Sequence, residues 1–167
     1  MKKTHYKRRA SKKTKQKTKR SFGRVNSGQI NEQVNSGHVN ERVKAKIVKN
    51  FIEILNMIKL YHWKTKSYSQ HKATDDLYEK LNKNIDLFVE ILMGKSSSRI
   101  YMVDKSIPLT DISKIGDFKK NIHQHREFLI GLSSIFDSKR DSDLLNVRDE
   151  ILGDINQFLY LLTFTEV

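Results

Sequence analysis

The chain of 167 residues has no cysteine, a single proline (Pro108) and no apolar run long enough to cross a membrane. The first absence excludes disulfides and thiolate metal sites and points to a reducing, intracellular compartment: a cytoplasm or nucleoid, a host nucleus or a virion. The third excludes a signal peptide and a membrane span. Two further shortages are local. Residues 1–42 hold almost no large apolar side chains, so the core must come from residues 43–167. Residues 1–24 hold no acid, the first in the chain being Glu32. Strand pairs and glycine-rich phosphate loops are missing as well.

What the first 24 residues do hold is charge. Lys2, Lys3, Lys7, Arg8, Arg9, Lys12, Lys13, Lys15, Lys17, Lys19, Arg20 and Arg24 supply 12 of the net +13, which leaves +1 for everything after them. Such a segment cannot bury enough apolar surface to offset the entropy of ordering, and it reads as a disordered basic tail. Its charges can release counterions from DNA or RNA and so give affinity without sequence preference. The run "KRRASKKTKQKTKR" equally suits a nuclear address or a solubilising tail. A tandem repeat follows, "VNSGQINEQ" then "VNSGHVNER", over residues 25–42. Two copies are too few for a solenoid, and the Asn-Ser-Gly triplets favour turns, so the repeat reads as a spacer.

From residue 43 the pattern is helical. Val48, Phe51, Ile52, Leu55, Ile58 and His62 recur at three- and four-residue steps and predict a helix over about 42–64. A second begins near Gln70 or His71, carries Leu77, Leu81, Ile85, Phe88 and Leu92, and ends at Gly94 as a C-terminal cap. Residues 95–110 form a connection long enough to cross a bundle. The third helix opens at Thr110 or Asp111 and runs through Phe118, Ile122, His125, Leu129, Leu132 and Phe136. The fourth spans about 143–164 through Leu144, Val147, Ile151, Ile155, Phe158 and Leu162. This predicts an all-α chain, a ferritin-like four-helix bundle over 43–167 with a long crossover between helices two and three.

Bundles of this kind often hold two irons through E-x-x-H pairs, and this chain has none. Asp86 and Glu90, four apart, share a helix face roughly 140–180° from the Leu77, Leu81, Phe88 stripe, taking about 100° per residue. They are expected to point outward, as a solvated acidic face would. His62 ends an apolar stripe and His71 stands near a helix start, each compatible with a hydrogen-bonded boundary residue or a ligand. His123 and His125 project to different sides and make a poor chelate.

Taken together, His62-Trp63, then His71, Asp75, Asp86 and Glu90, resemble the motif of the Dps family, the ferritin-like DNA-binding proteins of starved cells. The wording around it is also similar to a divergent Dps-like group in viruses and phages. The resemblance is specific over residues 43–94 and rests on helix pattern alone beyond them. It implies that His62 and His71 are imidazole ligands, Asp86 and Glu90 carboxylate ligands supplied to a neighbouring subunit, and Asp75 an auxiliary acid. It further implies iron as the metal, its oxidation by peroxide or oxygen, a homo-oligomer from a dimer up to a dodecamer, and DNA coating through the tail. One spacing departs from the family: His62 and His71 are nine apart where twelve is usual, which predicts His62 out of register with the other three. A non-enzymatic nucleic-acid-compacting protein, or an adaptor with the tail as an address, is the alternative that the residues leave open.

Overall fold

A computed structural model of the chain describes residues 39–165. The basic tail (1–24) and most of the repeat lie outside the described residues. Those described form four α-helices and no strand: α1 (Glu41–Lys64), α2 (Tyr68–Ser96), α3 (Ile115–Gly131) and α4 (Ser142–Leu161). Short 3-10 turns follow α3 at Leu132–Ser134 and α4 at Leu162–Thr165. None of the helices is long and apolar enough to cross a membrane.

The apolar stripes expected for the second and fourth helices are all buried, from Leu77 to Leu92 and from Leu144 to Leu162. On α1 the expected row is buried at Phe51, Ile58 and His62 and not at its other three positions. Ile47, Phe51, Ile54, Ile58 and Tyr61 enter the core, whereas Val48, Ile52 and Leu55 stay half-buried on its flank. Helix α1 thus carries two apolar faces, and a 3.6-residue period does not say which one the rest of the chain covers.

Boundaries depart from expectation where a side chain outside the helix has somewhere better to go. Helix α1 keeps its expected span, and the Asn40 side chain caps it by accepting from the Arg42 amide. Gly94 does not end α2. The helix continues to Ser96 and the left-handed residue is Ser97, with φ 48°. Ser98 is then held by the buried Lys44, whose ammonium donates to its hydroxyl at 2.7 Å and pairs with Glu41 at 2.5 Å. Nor do Thr110 and Asp111 cap α3, which begins at Ile115 after Lys114. Asp111 pairs with Lys64 at the end of α1, and Ile112 is buried in the core, which keeps this stretch extended.

Contacts along the helices give their directions. Helix α1 runs antiparallel to α2, since Lys44 meets Ser98 at one end and His62 meets His71 at the other. Helices α2 and α4 are antiparallel through Lys80 with Gln157, Asn84 with Asp154 and Lys95 with Asp143. Helix α3 lies against α4 through Phe118 with Phe158 and Arg148 with the Leu129 carbonyl, and against α1 through Tyr61 with Phe118.

On the α1–α3 seam, His125 faces Asn50, its Nδ1 3.1 Å from the side-chain oxygen. Burial pushes its pKa down from 6.5 to about 4, so the ring is neutral in the fold. A depressed pKa of this kind makes its contribution in full above 6.5, and that contribution is lost as the pH falls toward 4. Wild-type stability is expected to drop by about 2–3 kcal/mol from this group across that window. Urea midpoints measured against pH should show a flatter acid limb for His125→Gln, whose side chain cannot charge.

Candidate metal centre

The corner between α1 and α2 is built by three residues, Thr65 to Ser67, that reverse the chain. The Ser67 hydroxyl accepts from the Gln70 amide and starts α2. Gln70 then ties the two helices together, its Oε1 accepting from the Tyr61 hydroxyl at 2.7 Å and from the Thr65 hydroxyl at 2.9 Å. Tyr61 is in turn stacked on Phe118, with centroids 4.0 Å apart and planes within 8°.

This framework places the two histidines face to face. Their rings stack with centroids 3.9 Å apart and a 23° tilt. The shortened corner therefore does not separate His62 from His71, contrary to the expectation from its length: the reversal is tight, and α2 begins before His71 at Tyr68. Each ring also binds the other's backbone. His62 Nδ1 lies 3.0 Å from the His71 carbonyl oxygen, and His71 Nδ1 lies 3.1 Å from the His62 carbonyl oxygen. A carbonyl only accepts, so each Nδ1 carries its hydrogen. In the neutral rings both Nε2 atoms are then left with a free lone pair, the arrangement in which a second hydrogen bond orients a metal-binding imidazole.

Thr74 completes the back of the site. It is fully buried, its hydroxyl 2.7 Å from the Gln70 carbonyl and 3.0 Å from that of His71, and His62 Nδ1 lies 3.3 Å from the same oxygen. Asp75 stands on the open side, its Oδ1 3.7 Å from His62 Nε2 and 3.7 Å from the Lys59 ammonium. That ammonium also lies over the Tyr78 ring at 4.7 Å. Gln70, Thr74 and Lys59 carried no signal in the sequence, because each role depends on what the corner folds against.

Asp86 and Glu90 are exposed on the outer face of α2, as their helical phase predicts. Fifteen residues of helix separate His71 from Asp86, about 22 Å at 1.5 Å per residue, so one chain cannot bring them to one ion. Among the described residues no three His, Asp or Glu side chains converge to hold a metal ion. His123 is exposed and takes no part, and His125 is engaged on the other side of α1.

A family model, described as a family of unknown function (DUF5856), matches residues 62–162, from the first histidine of the corner almost to the end of the described chain. No curated protein and no solved structure matches.

Proposed function

We propose, for a chain that belongs to the family of unknown function DUF5856, a Dps-like role: a homo-oligomer that binds DNA or RNA through its basic tail and oxidises ferrous iron at sites shared between copies. The carrying observation is the split between two well-oriented imidazoles at one end of α2 and two exposed carboxylates further along it. Each half-site lacks what the other presents, and a second copy laid antiparallel across α1 and α2 would join them. The half-buried Val48, Ile52 and Leu55 on the same outer flank give that copy apolar surface to cover.

The fold within this reading is the ferritin-like bundle. Helices α2 and α3 are each antiparallel to α1 and to α4, which supports reading residues 97–114 between them as the long crossover of the class.

In such a site His62 and His71 would offer nitrogen donors while Asp86 and Glu90 of the other copy offer oxygens, a mixed set suited to iron. Asp75 would serve as a nearby acid that accepts a proton or draws in the cation. Iron is the substrate here: two ferrous ions give one electron each to a peroxide, which takes up two protons and leaves as two waters. A reducing intracellular compartment is part of the same reading.

A second reading keeps the oligomer and the tail without oxidation, or makes the bundle an adaptor. What supports it is that no three-ligand cluster forms among the described residues of one chain. Stopped-flow absorbance with ferrous iron and peroxide separates the two. Oxidation well above the buffer rate, reduced at least about tenfold in Asp86→Ala with Glu90→Ala, is the expected outcome. A rate equal to buffer, or a strictly monomeric chain by light scattering, sinks the enzymatic proposal.

A further inference from the structure

We infer that the end of the body carrying the α1–α2 turn and the C-terminal segment is a stacking surface for single-stranded nucleic acid, distinct from the tail. Trp63 and Tyr68 flank the turn and are 68% and 79% exposed. Tyr160 and Phe164, 61% and 64% exposed, pair edge-on with centroids 5.0 Å apart. The two pairs share one end of the molecule. Tyr61, two residues before Trp63, stacks on Phe118, which meets Phe158 edge-on at 6.1 Å, and the segment Leu162–Thr165 lies against α2.

Lysines are interleaved with these rings. Lys59 stands 5.9 Å over the Trp63 ring. Lys64 answers Asp111, and Lys59 answers Asp75. Lys66 is exposed in the turn and Lys72 near the start of α2, and among the described residues no acid is paired with them. Flat aromatic faces beside unpaired ammonium groups match the two parts of an unpaired nucleotide, a base that stacks and a phosphate that takes a cation. An apolar protein partner would leave the lysines unanswered, and a duplex hides its base faces. The tail binds any polyanion by charge, whereas this surface tells single strands from double.

Trp63 is the only tryptophan in the chain, so its fluorescence reports this corner alone. The full-length protein is titrated with an end-labelled thymidine oligonucleotide of about 20 residues, and with a duplex of the same length, at salt of about 0.5 M, where a Debye length of about 4 Å weakens the tail's contribution. The expected result is saturable quenching by the single strand and none by the duplex. Trp63→Ala with Tyr68→Ala should weaken single-strand binding, read by anisotropy of the label, about tenfold or more and leave duplex binding unchanged. Both side chains are exposed, so the variant should keep the wild-type helical signal and oligomeric mass. Bound oligonucleotide without quenching, or equal affinity of the variant, overturns the inference. So does a loss of oligomeric mass in the variant, which would extend a second copy's footprint from the His62 and His71 face onto the Trp63 and Tyr68 rings. Neutralising the tail lysines removes duplex binding and leaves the quenching in place, so failure of the tail reading is told apart from failure of this one.

Discussion

Phe118→Ala is expected to lose about 3–5 kcal/mol of stability, the range for a fully buried phenylalanine that leaves a cavity. Phe118 has no exposed surface, stacks flat on Tyr61 and meets Phe158 edge-on. Three helices therefore converge on one ring, and no neighbour can move in without leaving its own partner. The effect should extend beyond packing. Tyr61 is held between Phe118 and Gln70, and Gln70 fixes Thr65 at the turn, so loss of the ring also loosens the histidine corner. Denaturant midpoints measure the first effect. Leu87→Ala on the outer face of α2, where the side chain is 41% exposed, should change stability by no more than about 0.5 kcal/mol. A Phe118 variant as mild as that control would mean that the aromatic column is not the keystone of the fold.

The shared-site proposal makes a sharper prediction. A His62→Ala, His71→Ala chain and an Asp86→Ala, Glu90→Ala chain should each be almost inactive in ferrous oxidation. Mixed in equal amounts through unfolding and refolding, they should regain about a quarter of the wild-type rate, because random pairing makes half the two-fold contacts mixed and each mixed contact restores one site of two. A site contained within one chain predicts no recovery at any mixing ratio. Recovery without refolding would show that the copies exchange freely. Asp86 and Glu90 are exposed, whereas His62 is buried and tied with His71 into the turn, so the helical signal and mass of the histidine chain are measured beside its rate.

How much of this was legible beforehand follows from which forces act locally. The stripes of α2 and α4 could be read because every residue on them meets the chain's own core. The outward direction of Asp86 and Glu90 followed from helical phase alone. On α1 the reading found Phe51, Ile58 and His62, which are buried, but added Val48, Ile52 and Leu55, which are only half-buried beside them. The start of α3 was misplaced because Asp111 is a good cap in isolation, and its competing partner, Lys64, lies 47 residues earlier. The histidine corner was judged by chain length, which counts residues in a turn but cannot show that two rings will bind each other's carbonyls.

That reciprocity has a thermodynamic side. The His62 carbonyl belongs to the last turn of α1, where no amide of the helix is available to it, and a side chain of α2 supplies the missing donor. The His71 carbonyl, near the start of α2, takes the first ring as an added donor. Fraying of the turn and rotation of either imidazole are consequently one event and not two. A cation taken up on the Nε2 side resists that event by its own binding free energy, and the slowest-exchanging amides of the turn would then serve as a gauge of occupancy.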